Sequence, residues 1–260
     1  IAEVATDAVD TLAEGQVAPV VVTIDPDPFF DFTQERPQVE FDDDDVRIVR
    51  WPENEFRVAR FPNHAHDLVL LAGVEPHLRY ATFADAIIEV ATALGCEAVV
   101  TIGAALEEAP HTRPTHVVGS STNDGLVAAL GLSRPQYQGF TGLVGVLQER
   151  LDRSGIPAVS LRAGVPHYLG NAKHPQASAA LLLHLEHVLG VPTGHASLAD
   201  DAARWAGVHD EAVADDQSLS AYVRMLERNH DRRVEAQVQS GDDIAAAFEQ
   251  FLREQRPDTE

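Results

Sequence analysis

The sequence has 260 residues, 45% of them hydrophobic and only 6% aromatic, which is enough for one large domain or a domain with a smaller appendage. The formal net charge of -22 disfavours nucleic acid and anionic membrane surfaces as partners, because both carry negative charge themselves. Cys96 is the only cysteine, so an intrachain disulfide is excluded. We therefore expect a cytoplasmic protein with a core built mainly from aliphatic side chains.

The first half of the chain is predicted to alternate helices with short strands. Apolar side chains recur with helical spacing over residues 1–12 and again over residues 80–94. Residues 29–41 lack a clear period and are predicted to be loop. Short runs of β-branched residues predict strands at 17–24, 47–51, 55–61, 67–73 and 98–102. Strands 68–72 and 98–102 are expected to form a βαβ unit with the helix between them.

The second half continues the same alternation up to about residue 190. Helices are predicted over residues 141–154 and 175–189, and strands over 116–118 and 157–161. Pro175 stands at the first helical turn, where its missing N–H costs nothing. Together these patterns predict an α/β fold with a mixed, mostly parallel sheet.

Strand signals end after residue 196, and the composition changes. Residues 197–205 and 219–254 are predicted to form acidic, amphipathic helices with charges at i, i+4 spacing. We expect a core domain over 1–196 and a helical appendage over 197–260 that packs on the core or on a neighbouring subunit.

Loops that follow the predicted strands carry the candidate binding residues. In an open α/β sheet such loops gather at one edge, so we expect these side chains to share a surface. They are His111, Thr112, Arg113, Asn123, Tyr137, Thr141, His167 and Tyr168. Two interpretations stay open: the side chains present to a bound group, or they lock neighbouring loops by satisfying buried carbonyls and carboxylates.

Catalytic and metal motifs are weaker signals. Ser120 and Ser121 follow a predicted strand, and one of them could act as a nucleophile with His111 or His116, but a turn is the better reading. The glycines of 139–145 open a helix and could hold an anion, or they could serve close packing. No catalytic residue, metal ligand or cofactor is assigned.

Three short motifs together resemble the bacterial, actinobacterial-type members of the proteasome assembly chaperone type 2 family. They are Asp31-Phe32-x-x-x-Arg36-Pro37, Pro110-His111-Thr112-Arg113-Pro114 and Val165-Pro166-His167-Tyr168, and the match runs over about residues 20–198. The resemblance implies a three-layer, phosphorylase/hydrolase-like core and self-association, with a trimer as the expected order. It also implies kinship with chaperones that guide 20S proteasome assembly, and it supplies no catalytic residues. Such proteins usually begin with a strand and a glycine-containing loop, so we expect both to precede Ile1.

Three functional hypotheses follow. The leading one is a non-enzymatic protein that binds itself and a protein assembly partner, and neither nucleic acid nor membrane. The alternative is a small-ligand-binding protein, or a hydrolase/phosphorylase-like enzyme, that uses loops 110–114, 137–142 and 166–168, with an anion near Arg113 and Thr141. The third is that the acidic helices of 197–260 bind a basic partner.

Overall fold

The computed structural model describes residue 1, residues 3–170 and residues 173–237, and in this part of the chain it contains seven α-helices and eight β-strands. The helices are Val4–Gly15 (α1), Tyr80–Ala93 (α2), Asp124–Leu130 (α3), Leu143–Ser154 (α4), Pro175–Leu189 (α5), Ala199–Asp215 (α6) and Gln217–Gln237 (α7). The strands are Val20–Thr23 (β1), Gln38–Phe41 (β2), Arg47–Arg50 (β3), Asn54–Ala59 (β4), Leu68–Gly73 (β5), Val99–Glu107 (β6), Val117–Ser120 (β7) and Ala158–Pro166 (β8). Every described helix is too short or too polar to cross a bilayer.

Most predicted helices are confirmed, and α5 matches its prediction at both ends. Pro175 occupies the first turn of α5, and Gly190 closes it in the left-handed region with φ 66°. The short helix α3 was not predicted, because seven residues carry too little periodicity to be recognised. The predicted helix 219–254 is found as α7 up to Gln237, and the rest of it lies outside the described residues.

The strands form three groups with the orders β1-β4-β5, β2-β3 and β6-β8-β7. Within the described chain, β6 and β8 are the one parallel pair, and the other four ladders are antiparallel. The mixed α/β class is therefore confirmed, whereas the expectation of a mostly parallel sheet is wrong. The physical reason is the short connections: residues 60–67, between β4 and β5, are too few for the crossover that a parallel pair needs.

The predicted βαβ unit of β5, α2 and β6 is not found among the described strands, because β6 pairs with a later strand. Strands β5 and β6 lie in different groups of the described ladders, and the parallel partner of β6 is β8. The register runs from Val99 beside Ala158 to Glu107 beside Pro166. Both strands consequently end at the same edge, which we call the strand-end edge, marked by Glu107 and Pro166.

Strand β7 runs in the opposite direction to β8. Its residue Val117 pairs with Ala163, and its residue Ser120 pairs with Ser160. The amino end of β7 therefore lies towards the strand-end edge, and the residues that follow β7 lie at the opposite end of the sheet.

Two separate hydrophobic clusters form the core of this α/β region. One gathers buried residues of α1, β4, β5, β8 and α5, such as Val4, Leu161 and Leu181. The other gathers aromatic and aliphatic residues around α2 and α4, such as Phe83 and Leu151.

The chain divides into two compact units. The first comprises Ile1–Glu107 and Pro114–Trp205, and the second comprises Glu108–Arg113 and the chain from Ala206 onward. The loop 108–113 thus belongs with the carboxyl-terminal helices.

Candidate functional site

Arg113 is held by two carboxylates of α7. Its Nε and Nη2 donate to the two carboxylate oxygens of Asp231, each at 2.8 Å, and its Nη1 lies 3.3 Å from Glu227 Oε1. The hydrogen bond and charge of Asp231 raise the pKa of Arg113, and the same hydrogen bond lowers the pKa of the Asp231 carboxyl. This two-pronged contact matches the planar fork of the guanidinium, so the side chain is bound within the second unit.

The two preceding residues also contact acidic groups of α6 and α7. Thr112 donates from its hydroxyl to Glu227 Oε1 at 2.6 Å. His111 is buried, with Nε2 3.2 Å from Asp210 Oδ1 and its ring centroid 6.3 Å from that of His209. Burial lowers the pKa of His111, and the Asp210 carboxylate opposes that shift.

Three consecutive residues of the loop therefore face carboxylates that no sequence motif marks: Asp210, Glu227 and Asp231. Glu227 and Asp231 are four residues apart on α7, which places them on one helix face. In the sequence this spacing is indistinguishable from the charged face of a solvated helix, so only the fold reveals their partner.

A second group of predicted residues meets at the strand-end edge of the first unit. His167 follows β8, and its Nδ1 lies 3.1 Å from the carbonyl oxygen of Glu107, the last residue of β6. Its ring meets that of Tyr168 edge-on at 5.5 Å. The Glu107 carboxylate lies 3.8 Å from His116 Nδ1, and a Cβ at Gly164 would collide with that carboxylate. The parallel pairing of β6 and β8 explains why these residues come together.

Asn123 lies at the opposite end of β8 from His167. It follows β7, whose antiparallel direction carries it to the amino end of β8. There its Oδ1 accepts a hydrogen bond from the Leu126 N–H at 3.1 Å and caps α3. Ser121, beside it, is buried and donates to the Ala158 carbonyl at 2.6 Å. His116 and Ser121 stand at opposite ends of β7, so they cannot form a nucleophile–base pair.

Tyr137 and Thr141 lie in an exposed segment before α4. The Tyr137 hydroxyl donates to the Phe140 carbonyl at 2.9 Å, which closes the segment on itself. The amino end of α4 is the predicted anion position, and the Glu75 carboxylate already binds there. The Leu143 N–H donates to Glu75 Oε1 at 2.7 Å. A Cβ at Gly142 would lie 2.6 Å from the same oxygen, so the glycine provides room for Glu75.

The motif that begins at Asp31 starts with a turn. Asp31 accepts hydrogen bonds from the Thr33 hydroxyl and N–H and from the Gln34 side chain, which together lower its pKa to about 2. The backbone N–H of Asp31 donates to His77 Nδ1 at 3.3 Å. Among the residues that the structure describes, no three histidine, cysteine or acidic side chains form a group that could hold a metal ion.

Known proteins are similar to this chain in sequence and in fold. The family model of the PAC2 family matches residues 1–213. A PAC2 family protein from Streptomyces avermitilis is 37% identical, with 85% of this chain and 94% of that chain covered and a TM-score of 0.79. A proteasome-assembly chaperone homologue from Mycobacterium tuberculosis shows the same identity and coverage, with a TM-score of 0.77.

A more distant neighbour shares the fold alone. PbaB of Pyrococcus furiosus, an archaeal proteasome activator, is 17% identical, with 82% of this chain and 89% of that chain covered and a TM-score of 0.66. No curated protein matches the sequence.

Proposed function

This chain belongs to the PAC2 family, and from that membership we propose that it is a non-enzymatic, self-associating protein that binds other proteins during their assembly. It acts in the cytoplasm, as a homo-oligomer whose expected order is a trimer. Its first candidate partners are proteasome subunits, because a relative of 37% identity is a proteasome-assembly chaperone homologue. The core is proposed to have the three-layer, phosphorylase/hydrolase-like arrangement, which the two separate hydrophobic clusters support.

The observation that carries this proposal is the engagement of the 110–113 loop. His111, Thr112 and Arg113 contact Asp210, Glu227 and Asp231. These contacts support the locking interpretation over the presenting one, because polar groups that bind each other within the chain are not arranged for a substrate.

The same contacts weigh against the ligand-binding alternative. An anion at Arg113 would have to displace Asp231, and an anion at the start of α4 would have to displace Glu75. In each exchange a free ligand would take the place of a carboxylate that the chain already holds in position. The ligand loses translational freedom on binding, and the carboxylate does not.

The test is co-expression of the full chain with the α and β proteasome subunits of its source organism, followed by affinity purification and native mass spectrometry. We expect a stoichiometric complex that contains more than one copy of this chain. The matched control is the same experiment with an unrelated acidic protein of similar size, which should recover no subunits. A chain that stays monomeric and recovers no stoichiometric partner would overturn the proposal.

A further inference from the structure

The ribbon of strands β2 and β3 has an apolar face that is open to solvent. Val39 and Val49 are directly paired across the two strands and are 50% and 45% exposed. Because side chains alternate along a strand, Phe41 shares the face of these valines, and Trp51, which directly follows β3, continues the same alternation from Val49. Phe41 is 66% exposed and Trp51 45% exposed. We call these four side chains the apolar ribbon face.

Neither face of this ribbon is fully buried. On the other face, Arg50 pairs with Glu40 at 2.6 Å, and Ile48 is partly buried. A two-stranded ribbon is marginally stable in water unless its apolar face packs against something. Phe32 contacts Trp51 at one end of the ribbon, with the rings edge-on and their centroids 4.9 Å apart. Four large apolar side chains remain open, which is typical of an interaction surface.

The charge beside this face determines what could cover it. Residues 42–45 are four consecutive aspartates that form the turn between the two strands, and all four are exposed. The turn is ordered, since Asp42 Oδ1 accepts from the N–H groups of Asp44 at 3.0 Å and Val46 at 2.9 Å. Arg47, which pairs with Phe41 and lies on the same face as Val49, is the one cation within β3 near this turn. A complementary partner must therefore combine apolar side chains with several positive charges.

We propose that the apolar ribbon face docks a basic segment of a partner protein. The apolar side chains of that segment cover Val39, Phe41, Val49 and Trp51, and its lysine or arginine side chains meet the aspartates of 42–45. A second copy of this chain fits less well, because it brings the same aspartates and a net charge of -22. This inference rests on the proposed function, whose protein partner it describes in chemical terms.

The direct test uses a short peptide in which valine alternates with lysine, and a matched peptide with glutamate in place of lysine. The readout is tryptophan emission of the full chain, since Trp51 is 45% exposed whereas Trp205 is 9% exposed. We expect a saturable blue shift with the lysine peptide at low salt and none with the glutamate peptide. Replacing Asp43, Asp44 and Asp45 together with asparagine should weaken binding about tenfold, as expected for a few exposed charge pairs.

The variant Val39→Glu/Val49→Glu separates apolar contact from charge. It adds negative charge, which alone would strengthen attraction of the lysine peptide, so a loss of saturable binding identifies the apolar contact. The matched control is Val208→Glu/Val234→Glu, which makes the same exchange at positions 64% and 46% exposed on α6 and α7 and should leave binding unchanged.

Three results of the peptide experiment would overturn the inference. They are absence of saturable binding of the lysine peptide to the wild-type chain, equal binding of both peptides, and unchanged binding by Val39→Glu/Val49→Glu. A wild-type oligomer that this variant converts to a monomer, measured by light scattering, would assign the face to a second copy instead. If the variant still recovers proteasome subunits, this face is wrong as the docking site and the proposed function stands.

Discussion

Arg113 attaches its loop to helix α7. Its guanidinium presents donors in a fixed plane, and Asp231 fills two of them while Glu227 lies against a third. Pro110 and Pro114 restrict the backbone on either side, so little conformational freedom is lost when the fork closes on its carboxylates. We therefore interpret residues 110–114 as a rigid loop that binds α7 through Arg113.

Replacing Arg113 with alanine should destabilise the second unit. The contact is partly exposed, with 32% of the Arg113 side chain accessible, so water and salt weaken it and we expect the melting temperature to fall by about 2–4 °C. Arg113→Lys keeps the charge but loses the two-pronged geometry and should fall in between. Arg224→Ala removes an arginine that donates to the Ser220 hydroxyl of its own helix, and it serves as the control. Thermal unfolding followed by circular dichroism measures all three, and an Arg113→Ala chain as stable as this control would contradict the locking interpretation.

His111 should make folding sensitive to mild acid. Burial lowers its folded-state pKa below the ordinary value of 6.5, so as the pH falls the unfolded chain takes up a proton before the folded chain does. The folded state therefore loses stability as the pH drops below about 6.5, and the loss levels off below the folded-state pKa. His111→Gln removes this titration and should show a smaller drop in melting temperature between about pH 7.5 and pH 5.5.

His184→Gln is the control for this experiment. His184 is exposed and bonds the Ala180 carbonyl of its own helix, so the same exchange is made there away from the buried His111 ring. Equal pH dependence in the wild type, His111→Gln and His184→Gln would show that His111 does not titrate as its burial requires.

At the scale of elements, two positions that were expected to contact a ligand instead complete the amino ends of helices. Asn123 caps α3 through the Leu126 N–H, and Glu75 accepts the Leu143 N–H at the start of α4. Both roles use the unpaired N–H groups that every helix has at its amino end. An asparagine or a run of glycines near a helix start is therefore explained by the helix itself, without a ligand.

Removing the Glu75 carboxylate should both destabilise α4 and uncover an anion site. Glu75→Ala leaves Leu143 N–H and the positive end of the helix dipole without their carboxylate, which costs about 1 kcal/mol. Inorganic phosphate should then raise the melting temperature of Glu75→Ala more than that of the wild type. Glu89→Ala, on the exposed side of α2, is the control. Equal stabilisation of all three chains by phosphate would show that Glu75 does not occupy an anion site.

On the scale of the whole molecule, local patterns predicted the helices and strands better than their pairing. Helix α5 was predictable because Pro175 and Gly190 mark its ends in the sequence itself. The pairing of β6 with β8 depends on contacts between residues more than fifty positions apart, such as Val99 and Ala158, which periodicity cannot reveal. Strand β2 was missed because four residues beside an acidic turn give almost no periodic signal.

The candidate site was predictable only in part for the same reason. Proline-containing loops after strands predicted His111, Arg113 and His167 as candidate site residues. The parallel pairing of β6 and β8 does bring His167 to Glu107. The partners Asp210, Glu227 and Asp231 come from helices about a hundred residues further along the chain. Opposite charges attract in any fold, so a sequence with 41 acidic residues offers too many possible partners to choose among.

The net charge of -22 leads to a prediction about self-association. Copies of a strongly acidic chain repel one another, and this repulsion is screened over about 10 Å at 0.1 M salt. If the proposed homo-oligomer is held together mainly by apolar contact, added salt should shift the equilibrium towards the oligomer. Sedimentation equilibrium of the full chain at low and moderate sodium chloride concentration measures this shift. An oligomer that dissociates as salt is added would mean that ion pairs hold the copies together, and a monomer at every salt concentration would remove self-association from the proposed function.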